Sequence, residues 1–232
     1  MRPILNNCVI FICLSFAFVF ASHVDLLANN IPPKPDPSAA TADAEHLVYN
    51  GKYASFQYPG TWTLVTERNK LEELMRIQHN RVNGDISDLV LPEFVLYATN
   101  DFHISRLHAS SLPTLTLAMN RMPHPWNTKI TRNNRQQILD SFVDGARANF
   151  PGFRFLGGSV SESSNFAIFD LSFNVDAGAV SPGGSSDLHV RQRLCISKQS
   201  STGLQFIFMT PPNTAESIKQ ERDRIFETLV IK

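Results

Sequence analysis

Residues 166–176 read FAIFDLSFNVD and residues 188–198 read LHVRQRLCISK, and the alternation in these two runs decides the fold class. Successive side chains of a strand point to opposite faces, so Ala167, Phe169, Leu171, Phe173 and Val175 share one side. Asp170, Ser172, Asn174 and Asp176 take the other. In the second run Leu188, Val190, Leu194 and Ile196 form the apolar set, opposed by His189, Arg191, Arg193 and Cys195. Pairing the runs as a hairpin across the Gly-rich segment Ala177 to Asp187 fixes the parity of the register, because a one-residue slip would turn every side chain over. Asp170 then lies near Arg191 or Arg193.

Working outward, His46 to Tyr49 and Ala54 to Tyr58 are short strand-forming runs divided by Asn50-Gly51, a hairpin signal. Pro59-Gly60 breaks the second run before Thr61 to Leu64 resumes it. Glu67 to Gln78 has Leu71, Leu74, Met75 and Gln78 at helical spacing, with Thr66 placed to cap the first turn. Phe94 to Ala98 and Leu115 to Met119 read as strands. Thr131 to Phe150 reads as a helix with an apolar stripe of Ile138, Leu139, Phe142, Val143, Ala146 and Phe150, stopped by Pro151-Gly152. Phe153 to Leu156 and Leu204 to Met209 add strands. After Pro211-Pro212, Asn213 or Thr214 can cap a last helix with Ile218, Ile225, Phe226 and Leu229 as its core residues, and Val230-Ile231 closes the chain as an edge contribution. Strands punctuated by three helices, without βαβ alternation, argue α+β with a mainly antiparallel sheet covered by helices.

The 232 residues carry 21 Lys and Arg against 21 Asp and Glu, are 43% hydrophobic and contain 3 Cys. A chain of this size builds a real core, which excludes disorder and a disulfide-stapled miniprotein. The balanced charge removes the electrostatic case for a nucleic-acid partner. Residues 1–21 read as a signal peptide, with Arg2, an apolar run from Cys8 to Ala21 and a cleavable Val19-Phe20-Ala21; an uncleaved anchor is the alternative. Ile10-Phe11-Ile12 before Cys13 lacks the small residues that a lipid-attachment site needs. Residues 22–44 read as a linker, with four prolines between Asn29 and Ala44, and residues 45–232 as the folded domain. Cleavage leaves Cys195 as the only thiol, so no internal disulfide is expected.

Catalytic signposts are missing. Ser159 follows Gly157-Gly158 but lacks the second glycine of a nucleophile elbow. Pro182-Gly183-Gly184-Ser185 has turn chemistry without the spacing or following helix of a phosphate loop. His103 and His108 fall in a polar stretch at a spacing that shares no helix face, so no metal site is expected. Trp126 is either an exposed contact or a ring packed under a helix start. The strongest constellation is His189, Arg191 and Arg193 with Cys195. It reads as an anion or partner patch, or as strand arginines neutralised across the sheet by Asp170 and Asp176.

The stretch Tyr53-Ala54-Ser55-Phe56-Gln57-Tyr58-Pro59-Gly60-Thr61-Trp62 resembles the opening of PsbP-type proteins, in which a strand runs into Tyr-Pro, a turn and a Trp. The closing strand Leu204 to Met209, the Thr-Pro-Pro break and the helix with Ile225-Phe226 before Leu229-Val230 are similar to the same superfamily, as is the helix Thr131 to Phe150 followed by Phe153-Arg154-Phe155. The resemblance implies the α/β/α sandwich of PsbP, DcrB and Mog proteins, with Trp62 set against a helix. It further implies an accessory or binding protein rather than an enzyme. With the signal peptide, the expectation is a periplasmic or secreted protein that binds or helps assemble another envelope protein, without a cofactor. A hydrolase with a site assembled from distant loops and a small-ligand carrier are the alternatives.

Overall fold

The computed structural model describes residues 45–80, 91–98, 114–121, 130, 131, 133–149, 152–176, 187–200, 202–210, 214 and 216–232. The signal peptide, the linker, His103, His108, Trp126, the Pro182 to Ser185 turn and Pro211-Pro212 lie outside them. In chain order the elements are β1 (His46–Asn50), β2 (Ala54–Pro59), β3 (Thr63–Val65), α1 (Arg68–Asn80), β4 (Phe94–Tyr97), β5 (Thr114–Arg121), α2 (Arg135–Asn149), β6 (Arg154–Glu162), β7 (Phe166–Asp176), β8 (Asp187–Ser197), β9 (Thr202–Thr210), α3 (Glu216–Thr228) and β10 (Val230–Ile231). Every strand pair is antiparallel. Seven strands form one sheet in the order β3-β4-β5-β9-β8-β7-β6, and β1-β2-β10 form a second. The α+β class follows from these pairings.

The hairpin of β7 and β8 has the expected parity: Asp170 lies opposite Arg193, Ser172 opposite Arg191 and Phe169 opposite Leu194. Its apolar face, with Ile207 and Met209 of β9, buries against Leu139, Phe142 and Val143 of α2. The other face of β8 and β9 supplies Cys195, Leu204, Phe206 and Phe208, which bury with Ala54, Phe56 and Tyr58 of β2 and with Ile225 and Phe226 of α3. Strand β9 is therefore covered on both sides, and its run of buried residues from Gly203 to Thr210 reflects that position. A third cluster joins Leu71 and Leu74 of α1 to Val65, Val95 and Tyr97.

Several local readings shift in the folded chain. Trp62 is buried as expected, its ring 6.0 Å from that of Phe208 of β9, centroid to centroid, in the cluster that also holds Ile225 and Phe226 of α3. Helix α2 begins at Arg135, with Thr131 at its cap: the Thr131 carbonyl accepts from the Asn134 and Arg135 N–H groups at 3.2 Å, and the Thr131 N–H donates to Asn134 Oδ1 at 2.7 Å. Gly152 carries a positive φ of 65°, which suits glycine after a helix end. Strand β6 continues through Gly157-Gly158 to Glu162, beyond the expected end at Leu156. A bulge between Phe155 and Gly157 re-aims the strand, and eight-residue pairing with β7 overrides the weak strand preference of two glycines.

Candidate functional site

The three patch residues His189, Arg191 and Arg193 sit on one face of β8, and each meets a different neighbour. Arg193 is fully engaged. Its Nε and Nη2 donate to the two oxygens of Asp170 at 2.7 and 3.1 Å, and its Nη1 donates to the Phe226 carbonyl at 2.9 Å. Arg191 crosses to α3 instead, donating through Nη1 to Asp223 Oδ1 and lying 4.8 Å from the centre of the Phe226 ring. The expected partnership with Asp176 fails for a reason of length. Asp176 is four residues beyond Ser172, the residue opposite Arg191, which is roughly 13 Å along a strand. Cys195, at the far end of the same row, lies wholly inside the hydrophobic cluster, and burial pushes its thiol up to about 12.

Arg222 was not visible as a site residue in the sequence. It falls four residues after Ile218 and four before Phe226, so it occupies the apolar stripe of α3 and is buried there. That anomaly, a charged residue at a core position, was the available signal. A buried guanidinium must be paired, and Arg222 donates through Nε to Asp223 Oδ1 at 2.9 Å. Its Nη1 donates to His189 Nδ1 at 2.8 Å and Thr210 Oγ1 at 3.4 Å. Burial raises the Asp223 carboxyl, but the hydrogen bond and charge of Arg222, joined by Arg191, outweigh it and hold the carboxyl below its ordinary value.

His189 also touches Ser172, Nε2 to Oγ at 2.9 Å, and the Ser–His contact invites comparison with a hydrolase. The wiring runs the opposite way. Arg222 has only N–H donors, so His189 Nδ1 is the acceptor and the neutral ring carries its proton on Nε2, which donates to Ser172. A catalytic base needs a free Nε2 lone pair facing the hydroxyl and an acceptor behind Nδ1. Burial first, then the Arg222 charge, lowers the pKa of His189 and keeps it neutral.

These side chains line an open groove of about 300 Å³. Asp170, Ser172, His189 and Arg191 form its floor, Arg222 and Asp223 of α3 one wall, and Gly157 to Ser159 of β6 the opposite lip. A Cβ on Gly157 would meet nothing within 4 Å, whereas one on Gly158 would lie 3.0 Å from the Asp170 carbonyl oxygen. Among the described residues no three of His, Cys, Asp and Glu stand together as metal ligands, and no helix is long and apolar enough to cross a membrane.

The sequence matches no protein-family model and no curated protein. Among solved structures it is similar to the PsbP protein CyanoP of Synechocystis sp. PCC 6803, at 10% identity and a TM-score of 0.45, covering 88% of this chain and 99% of that one. It is similar to LpqN of Mycobacterium tuberculosis, described as involved in cell envelope biogenesis, at 15% identity and a TM-score of 0.47, covering 81% and 91%. The Ran-binding protein Mog1p of Saccharomyces cerevisiae is similar at 9% identity and a TM-score of 0.42, covering 81% and 94%. The chain resembles the PsbP and Mog proteins.

Proposed function

We propose that this chain is an exported, non-enzymatic accessory protein whose domain, an α/β/α sandwich behind a cleaved signal peptide and a proline-rich linker, binds another protein of the cell envelope through the groove over β7 and β8. The observation that carries this reading is the groove itself. It is open, and its charged groups are set for binding, while its one Ser–His contact points the proton the wrong way for nucleophilic catalysis. His189 and Arg191 would face the partner with Arg222. Arg193 would hold the floor in place, since all three of its guanidinium nitrogens are used.

Pull-down from envelope extract with the wild type and with Gly157→Leu tests this reading. A leucine there enters open space, so the domain should stay folded while the groove fills. A protein retained by the wild type and lost by the variant is the expected result, and equal retention by both defeats the groove. The hydrolase reading is tested alongside with a nitrophenyl ester. Turnover abolished by Ser172→Ala would replace the accessory role with an enzymatic one.

A further inference from the structure

Resting on that reading of the groove, we infer that the group it takes from the partner is a carboxylate. The first reason is charge. Among the described residues Arg191 and Arg222 pair with Asp223, Arg193 beneath the groove cancels Asp170, and His189 is held neutral, so these groups leave one uncompensated positive charge. Lys219, whose charge also reaches His189, is already paired with Glu216 at 3.1 Å. One negative charge balances the site, whereas a phosphate dianion would leave it with an excess.

The second reason is the pattern of unused donors. Nη2 of Arg222 and both Nε and Nη2 of Arg191 make no hydrogen bond among the described residues. The Ser172 hydroxyl accepts from His189 and so keeps its own proton for a ligand, and the Ser159 hydroxyl on the lip has no side-chain partner among the described residues. Asp170, by contrast, has both oxygens occupied by Arg193. The groove thus sets guanidinium and hydroxyl donors against one carboxylate oxygen, Asp223 Oδ2, that no hydrogen bond occupies among the described residues, and this excess of donors is the chemistry that recognises a carboxylate. The open space over Gly157 is where the rest of the partner's residue would enter.

Three acetylated tripeptides separate the sources of such a carboxylate: Gly-Glu-Gly amide, Gly-Gln-Gly acid and Gly-Gln-Gly amide. Binding is followed by the amide resonances of Gly157 and Gly158 and the Nε–H resonance of Arg222. The glutamate peptide, the C-terminal acid or both should shift these resonances saturably, and the peptide lacking a carboxylate should bind at least about tenfold more weakly. Gly157→Leu should abolish the shifts. Asp223→Asn should tighten the acidic peptides several-fold without improving the amide, because it removes the anion that competes for Arg191 and Arg222. Equal binding of all three peptides, or none at all, overturns the inference. If partner capture still depends on Gly157 in that case, the partner reading survives alone. If acidic peptides bind but capture ignores Gly157→Leu, the carboxylate site stands and the partner reading falls.

Discussion

Arg193 and Asp170 allow the sharpest test of the strand face. Their two hydrogen bonds of 2.7 and 3.1 Å are bidentate, and the side chains are 17% and 26% exposed. An exposed cross-strand pair contributes about 0.2–1 kcal/mol, and breaking a fully buried one costs about 3–5 kcal/mol. This pair lies between those limits, nearer the buried one. Arg193→Ala also removes the bond to the Phe226 carbonyl at 2.9 Å and the contact with the Phe226 ring, so it should destabilise by about 3 kcal/mol. Asp170→Ala leaves Arg193 its bond to that carbonyl and should cost about 2 kcal/mol. The double mutant should lose less than the sum, with a coupling of about 1–2 kcal/mol. Urea unfolding of the wild type, both single mutants and the double mutant yields that coupling directly. A value below about 0.5 kcal/mol, the usual error of additivity, would refute the claim that the two charges serve each other.

Trp62→Ala should cost about 3–5 kcal/mol in chemical unfolding, since the ring is 8% exposed and packed on Phe208; a loss under about 1 kcal/mol would mean the ring is dispensable. The Cys195 thiol should resist alkylation at pH 8 until the domain unfolds. Its folded pKa of about 12 stands above the ordinary value of 9.0, so its contribution to stability is full below pH 9 and declines as pH rises toward 12; labelling against denaturant checks the first and unfolding at alkaline pH the second. His189 has the opposite sign. Its folded pKa lies below 6.5, so the unfolded chain binds the proton first and stability falls as pH drops below 6.5, a slope that His189→Gln should reduce in acid unfolding curves.

The elements most legible in the sequence were those with a strict period. The alternation in residues 166–176 and 188–197 determined which side chains share a face, and with it the approach of Asp170 to Arg193. The stripe Ile138, Leu139, Phe142, Val143 and Ala146 marked the buried side of α2, and Val230-Ile231 read as an edge strand, which pairs with β2. Where period is absent the residues do not mark the element. Gly157-Gly158 has no side chains to pattern, and only the presence of β7 alongside makes that stretch a strand.

The groove belongs to this second category. Parity alone placed His189, Arg191 and Arg193 on one face because a strand alternates every residue, and that much is local. Which carboxylate neutralises Arg191, and which cation sets the tautomer of His189, depended on where α3 lies across β8, more than thirty residues later in the chain. Such contacts leave no period in the sequence, since a docked helix brings together residues whose spacing along the chain is unrelated to their distance in space. The sequence therefore determined the strands and their faces, and tertiary packing decided that Arg222 and Asp223 complete the site.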